Sequence, residues 1–336
     1  FQGCRFPPEG AALAVFRISL INFISGTSFV KALTENRFSI PSFIFIILLS
    51  NFVGSYIIYN KDLKGAIYMI GDMQNWRPNV AGIIEHARSM HPNTEVISRL
   101  VSGEIHKTNY EEVCIRSRKL ASALEKDGIK KGDVVATLAL NTYRHLEMYY
   151  GISGMGAITH TLNFRLHPEQ AVYIINHAED KMIFVELPFV PILEGLQDNL
   201  STVKKYVVLC NEDEMPETSL KNALSYEEYI KNGDENYSWP EMDDDAACAL
   251  CYTSGTTGNP KGVLYSHKSN ILHAQVALTA MTIQADDSIL MVVPLFHVLA
   301  WGIPYFGPMN GNKLVMPGMQ MEGEPLYELI DKEDVT

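Results

Sequence analysis

Short apolar runs alternate with helical patterns along most of this chain. The runs are rich in β-branched and aliphatic residues, and polar turns separate them. Uninterrupted apolar runs of this length are typical of strands that are buried on both faces, as in parallel sheets. Strands are predicted over residues 134–140, 157–162, 181–186, 205–209, 246–252, 288–293 and 313–316.

Helical patterns lie between most of these runs. Pro168 opens one of them, at a first-turn position where the missing N–H of proline costs nothing. The predicted helices cover residues 143–155, 168–178, 226–231, 267–281 and 323–331. Alternation of strand and helix predicts an α/β fold with a parallel or mixed sheet covered by helices.

The first 68 residues differ in composition from the rest. They contain six basic and three acidic side chains, a charge of +3, whereas residues 69–336 have a charge of −15. All 14 methionines lie at or after Met69. Residues 38–60 are uncharged and long enough for a membrane helix. The competing interpretation is that residues 1–68 are translated flanking sequence, and the missing methionines favour it.

The overall charge and the cysteines limit the class of protein. A net charge of −12 is unsuited to a broad contact with nucleic acid, although it allows a local anion site. Five cysteines form no disulfide framework, so a reducing, cytoplasmic location is expected, with membrane association only through residues 38–60. Cys248 and Cys251 lack a second ligand pair for zinc and are predicted to be buried core thiols.

Several polar residues are predicted to be structural. The acidic stretch 211–245 is predicted to be a surface connection, with a solvated run of aspartates at 243–245. Ser266 is a predicted helix N-cap, and His267 and Lys268 follow it in the first turn.

The loop after the strand at 246–252 combines three residue types that suit an anion. Glycines let backbone N–H groups approach closely, hydroxyl groups supply short donors, and lysine supplies a mobile charge. The residues are Thr253, Ser254, Gly255, Thr256, Thr257, Gly258, Lys261 and Gly262. A Walker A motif needs Gly directly before its Lys and Ser or Thr directly after it. Here Pro260 and Gly262 flank Lys261, so a P-loop NTPase is disfavoured. A polar surface loop is the alternative interpretation.

Three motifs resemble the adenylate-forming enzymes. Residues 252–262 (YTSGTTGNPKG) resemble the signature phosphate loop of that superfamily, and residues 293–305 (VPLFHVLAWGIPY) resemble its next motif. Residues 141–147 (NTYRHLE) resemble the fatty-acyl-CoA synthetase branch. The resemblance implies an α/β fold, the N-terminal domain of the adenylate-forming fold. Mixed and parallel sheets are layered with helices in an αβαβα-like arrangement that is incomplete at the C-terminus.

The resemblance also implies roles for single residues. Thr253 matches the position that helps to hold Mg²⁺ with ATP, and Lys261 matches the cradle of the β- and γ-phosphates. His297 matches a histidine beside the reacting carboxylate and the α-phosphate, and Trp301 matches an aromatic that gates the acyl tunnel. The remaining cradle positions are Ser254, Gly255, Thr256, Thr257 and Gly258. Without the family, His297 could equally be a core histidine, and Phe296 and Trp301 could belong to a helix core.

The implied function is that of a medium- to long-chain acyl-CoA synthetase. It would use ATP, Mg²⁺ and coenzyme A, and its partners would be small molecules, with a homodimer allowed. A short-chain or methylthiopropionate-type acid, or an aryl acid, is the alternative substrate. The resemblance runs from about Trp76 to Thr336, so residues 69–336 are expected to be a partial domain that is inactive alone. The alternative of another class is a non-catalytic nucleotide-binding or dimerisation module.

Overall fold

The computed structural model describes residues 76–253 and 259–336. The predictions made for residues 1–68, including the apolar segment 38–60, lie outside the described residues. Within the described part of the chain, no helix is both long enough and apolar enough to cross a membrane.

Eleven strands and nine α-helices are described over these two ranges. The strands are β1 Glu95–Arg99, β2 Ile105–Asn109, β3 Val134–Leu138, β4 Ile158–Thr161, β5 Met182–Val185, β6 Lys205–Val208, β7 Ala223–Ser225, β8 Ala247–Thr253, β9 Lys261–Ser266, β10 Ser288–Leu290 and β11 Lys313–Met316. The helices are α1 Val80–Met90, α2 Tyr110–Lys126, α3 Tyr143–Gly154, α4 Pro168–Ala178, α5 Val190–Leu196, α6 Tyr226–Ile230, α7 His267–Met281, α8 Ile303–Asn310 and α9 Gly323–Lys332.

The strands form two sheets. Sheet A has seven strands in the order β7-β6-β5-β3-β4-β8-β9, and all its neighbours are parallel except the antiparallel pair β8–β9. Sheet B has four strands in the order β10-β11-β1-β2, with only β1–β2 antiparallel. Non-consecutive neighbours in both sheets require helical crossovers, which accounts for the alternation of strand and helix in the sequence.

Helices separate and cover the two sheets. Residues of α4 and α5 share one hydrophobic core with one face of sheet A, and α2, α3 and α6 share another core with its opposite face. All twelve residues of α3 are buried, because α3 also packs in the core that contains α1, α7, α8 and residues of sheet B. Leu329 of α9 packs on the outer face of sheet B against Ile97 and Val315. This layering confirms the predicted α/β class and its αβαβα-like order.

The predicted strands and helices are confirmed, with ends that differ by at most three residues. The prediction for residues 211–245 was wrong in part. Besides the predicted helix α6, that stretch contains edge strand β7, and the fully buried Tyr226 donates a hydrogen bond to Glu147 at 2.8 Å. Cys248 and Cys251 are free and buried, as predicted. His267 and Lys268 are structural: Val80 N–H donates to His267 Nδ1 at 3.2 Å.

Asn141 joins the two sheets. It follows β3 of sheet A, is 4% exposed, and its side-chain amide donates to the carbonyls of Met291 and Val293 at 2.7 and 2.8 Å. Its Oδ1 accepts from Leu295 N–H at 2.8 Å. The chain after β10 therefore leaves sheet B and is fixed to the carboxyl end of β3. This is why β10 ends at Leu290, earlier than the predicted strand.

Two tyrosines of α3 extend this junction. The Tyr149 hydroxyl donates to the carbonyl of Leu295, and the Tyr150 hydroxyl donates to the carbonyl of Pro304. Both rings are fully buried. A buried tyrosine needs a partner for its hydroxyl, and here the partners lie in the segment that contains His297.

Glu186 is a buried acid next to the same junction. It follows β5, is 3% exposed, and its Oε2 accepts from Leu140 N–H at 3.3 Å. Burial raises the pKa of Glu186 from 4.5 to about 7, against the opposing effects of that hydrogen bond and of Arg144. The carboxyl therefore favours its protonated form below neutral pH.

Replacing Asn141 by Ala should lower the free energy of unfolding by about 3 kcal/mol or more. Two buried backbone groups and one part-buried carbonyl lose their partners, and each unpaired buried group costs roughly 1–3 kcal/mol. Urea unfolding followed by circular dichroism measures the loss. Asn232→Ala, at an exposed asparagine, is the matched control and should stay within about 0.5 kcal/mol of wild type. An equal loss of stability in the two variants would contradict the role of Asn141 in joining the two sheets.

Replacing Glu186 by Gln should remove a pH-dependent loss of stability. Between pH 4.5 and 7 the folded protein binds more protons at this site than the unfolded chain, so stability falls as pH rises through that window. The glutamine keeps an acceptor for Leu140 N–H without the charge. Relative to wild type, Glu186→Gln should gain roughly 2–3 kcal/mol between pH 5 and pH 8 in urea unfolding. A difference between the two proteins that does not change with pH would overturn this assignment.

Candidate active site

The predicted anion loop connects the last two strands of sheet A. Strand β8 ends at Thr253 and β9 begins at Lys261, and these two residues are direct partners in the antiparallel register. Directly opposed residues have Cβ atoms about 4.5–5.5 Å apart and lie on the same face of the sheet. Both are exposed. The structure thus brings together Thr253 and Lys261, while the predicted residues 254–258 lie outside the described part of the chain.

Alternation along β8 decides which face Thr253 and Lys261 occupy. Cys251 belongs to the core that contains Leu299 and Ala300, whereas Tyr252 packs against the core on the α4 side. Successive side chains of a strand point to opposite faces. Thr253 and its partner Lys261 therefore lie on the face of Cys251, the face against which residues 299 and 300 pack.

His297 lies in a tight turn on that face, which we call the histidine turn (residues 294–302). His297 N–H donates to the Pro294 carbonyl and Ala300 N–H donates to the His297 carbonyl, both at 2.9 Å. The His297 side chain is exposed. It is not a core histidine, which removes the structural alternative for this residue.

The histidine turn has a left-handed backbone. The φ angles are 47° at Val298, 52° at Leu299, 48° at Ala300 and 56° at Trp301. Each non-glycine residue in this region costs about 1–2 kcal/mol, so surrounding structure must impose the conformation. Gly302 continues the run at φ 83°, where a Cβ would lie 2.6 Å from the ring of His273.

The aromatic residues of this motif have different environments. Trp301 is 57% exposed, so the alternative that places it in a helix core is wrong. Phe296 is half-buried and packs edge-to-face on Phe164, with 5.0 Å between ring centroids. Phe164 in turn stacks on Phe189 at 4.7 Å. Phe296 therefore fixes the position of the turn, and Trp301 is free to contact a ligand.

Sequence reasoning did not find the residues that support the turn. Asn141 was noticed only as part of a motif, and Tyr149 not at all. The available signals were a polar residue at the end of an apolar strand and two adjacent tyrosines in an apolar helix. Both features require buried polar groups to find partners.

The aspartate run 243–245 is paired with cations. Its three carboxylates lie within 4.8 Å of one another. Asp243 contacts Arg77 at 2.7 Å, and Lys268 contacts both Asp244 and Asp245 at 2.9 Å. The run is therefore an ion-paired surface turn, in agreement with its prediction as a solvated loop.

Two cavities of the described residues lie away from the β8–β9 hairpin. The larger, about 1050 Å³, is lined by α1 and by residues 239–243. The smaller, about 440 Å³, lies beside β2 and includes Arg116, Tyr143 and Arg144. None of Thr253, Lys261, His297 and Trp301 lines either cavity.

Comparison with known proteins identifies a family and similar enzymes for this chain. Residues 84–336 match the AMP-binding enzyme family. The chain is 45% identical over 270 residues to a medium-chain-fatty-acid–CoA ligase of Ectopseudomonas oleovorans, covering 80% of this chain and 50% of that protein. It is 43% identical over 270 residues to a 3-methylmercaptopropionyl-CoA ligase of Ruegeria pomeroyi, with the same coverage.

A solved structure shares the fold. The inhibitor-bound N-terminal domain of FACL13 from Mycobacterium tuberculosis superposes with a TM-score of 0.66 at 25% sequence identity, covering 77% of this chain and 61% of that one. The chain spans about half the length of the curated relatives it matches. The family match, the layered fold and the hairpin with its facing histidine turn lead to one conclusion: the chain belongs to the AMP-binding enzyme family.

Proposed function

We propose that this chain is part of an AMP-forming acid–CoA ligase that activates a medium- to long-chain fatty acid. One observation supports this most directly. The register of β8 and β9 sets Thr253 opposite Lys261, on the face against which the histidine turn packs. A polyphosphate held by the loop would then lie on the same side of sheet A as His297.

The first half-reaction makes a poor acyl donor reactive. A carboxylate oxygen attacks the α-phosphorus of ATP, the bond to the β-phosphate oxygen breaks, and pyrophosphate leaves. The product is an acyl-adenylate, whose leaving group is AMP. The protein needs to align the reactants and to compensate charge, since this step requires little covalent chemistry from its side chains.

Lys261 would neutralise the departing pyrophosphate, and the loop residues Ser254, Gly255, Thr256, Thr257 and Gly258 would donate to its oxygens. Thr253 offers an exposed hydroxyl oxygen, the kind of donor that Mg²⁺ accepts. When bound, Mg²⁺ would offset phosphate charge in the transition state.

His297 would contact the carboxylate substrate where it meets the α-phosphate. An exposed imidazole can donate a hydrogen bond to an oxygen of the acid or of the α-phosphate, where charge develops. In the second half-reaction the thiol of coenzyme A attacks the acyl carbon. A thioester forms, the bond to AMP breaks, and the thiol proton is released.

Relatives with different acids are similarly close to this chain. A medium-chain-fatty-acid–CoA ligase is 45% identical and a 3-methylmercaptopropionyl-CoA ligase is 43% identical. A short sulfur-containing acid is therefore the second candidate substrate, and an aryl acid the third. We propose a cytoplasmic enzyme, because the described cysteines are free thiols, and we retain the homodimer as a prediction.

Lys261→Ala and Thr253→Ala should each slow acid-dependent ATP–pyrophosphate exchange by about 100-fold or more. Preorganised contacts to a reacting phosphate are worth this much when one is removed. Both side chains are exposed, so thermal unfolding should change little. The exchange is measured on protein expressed from the complete reading frame that encodes this chain.

Lys221→Ala is the matched control for these variants, since it removes an exposed lysine that pairs with the exposed Asp198. It should exchange like wild type. Near-normal exchange in both site variants would count against the assignment. ATP binding without exchange in the wild-type protein would favour the non-catalytic nucleotide-binding module.

Trp301→Ala should change acid selectivity more than it changes the use of ATP. The exposed indole belongs to the histidine turn, and its loss would remove apolar contact from the acyl chain. We expect kcat/KM for octanoate to fall by about tenfold relative to that for 3-methylmercaptopropionate, with KM for ATP unchanged. Release of AMP with a panel of acids measures both. An equal change for all acids would refute a contact between Trp301 and the acyl chain.

A further inference from the structure

The opposite face of the β8–β9 hairpin has its own hydrogen bond. The Tyr252 hydroxyl lies 2.6 Å from Nδ1 of His177, a residue in the last turn of α4. Tyr252 is half-buried, and it directly precedes Thr253. One contact thus ties the end of β8 to a helix on the face opposite Thr253 and Lys261.

The ring of Tyr252 also spans both strands of the hairpin. Its cross-strand partner is Gly262, where a Cβ would lie only 3.2 Å from Cζ of Tyr252. A side chain at position 262 would push the ring away. The ring therefore braces the first residues of β9 as well as the end of β8.

Aromatic side chains of α4 and β4 pack around Tyr252. Tyr173 stacks on His177 with 5.4 Å between ring centroids, and His160 packs against Tyr252 at 5.1 Å. His160 Nδ1 lies 2.8 Å from Asp180 Oδ2, and both residues are fully buried. Tyr252 is thus held between the exposed His177 and the buried His160.

The protonation of Tyr252 decides which residue donates the hydrogen bond between Tyr252 and His177. Burial, with smaller effects from Asp180 and Tyr173, raises the pKa of Tyr252 to about 12. The hydroxyl is therefore protonated at neutral pH and donates its hydrogen bond to Nδ1 of His177.

We propose that Tyr252 and His177 are positioning residues. They hold Thr253 and Lys261, the residues at the two ends of the predicted anion loop, in place. They touch no substrate. Because Thr253 follows Tyr252 and Lys261 precedes Gly262, a shift of the tyrosine displaces both groups that would meet the polyphosphate. This inference rests on the proposed function.

The test is a double-mutant cycle in protein from the complete reading frame. Tyr252→Phe and His177→Ala should each raise KM for ATP in pyrophosphate exchange by about three- to tenfold, the worth of one hydrogen bond. The kcat should change less than KM. The double variant should be no worse than either single variant, because both remove the same bond. His177→Asn, whose Oδ1 can accept in place of Nδ1, should recover most of the loss.

Tyr173→Phe is the matched control. It removes a tyrosine hydroxyl from the same cluster and keeps the ring that stacks on His177. KM for ATP should stay at the wild-type value. Calorimetric Kd values for ATP, measured on all variants, decide the question separately from turnover.

The outcomes separate this inference from the proposed function. Unchanged KM and Kd in Tyr252→Phe and His177→Ala, or strictly additive effects in the double variant, overturn the positioning role. Wild-type protein that binds ATP but shows no acid-dependent exchange overturns the ligase, and the Kd values still decide the role of the pair. Wild-type protein that does not bind ATP overturns both.

Discussion

The amide of Asn141 is the interaction on which the candidate site depends. The site is assembled from two sheets: Thr253 and Lys261 belong to sheet A, whereas His297 lies in the segment that leaves sheet B after β10. Asn141 satisfies two carbonyls and one N–H of that segment from the end of β3. This buried side chain, together with the hydroxyl of Tyr149, therefore helps to set the distance between the group that would hold phosphate and the group that would meet the acid.

Because successive side chains of a strand point to opposite faces, the two faces of the β8–β9 hairpin have different roles. One face presents Thr253 and Lys261 toward the histidine turn, and the other presents Tyr252 to α4. Neighbours in sequence thus have unrelated environments, exposed for Thr253 and braced by an aromatic cluster for Tyr252. This division leaves Thr253 and Lys261 exposed, because the packing contacts of the hairpin end lie on the opposite face.

Much of the fold could be predicted from the sequence, and less of the site. Apolar runs located the strands because parallel strands are buried on both faces. Strand β7 was not predicted, since it has only three residues within an acidic stretch. The helix α6 that follows it was predicted, but its ion pairs of Glu227 with Arg116 and Arg144 were not. The left-handed turn was not predictable, because β-branched and bulky residues such as Val298 and Trp301 disfavour that backbone.

The left-handed turn has a consequence for the order of folding. Local preference opposes its backbone, and its contacts come from Asn141, Tyr149 and the strand that contains Cys251. We therefore expect the turn to form late in folding, once both sheets are in place to supply these contacts. A partly folded chain would already have its hairpin but not the histidine in place.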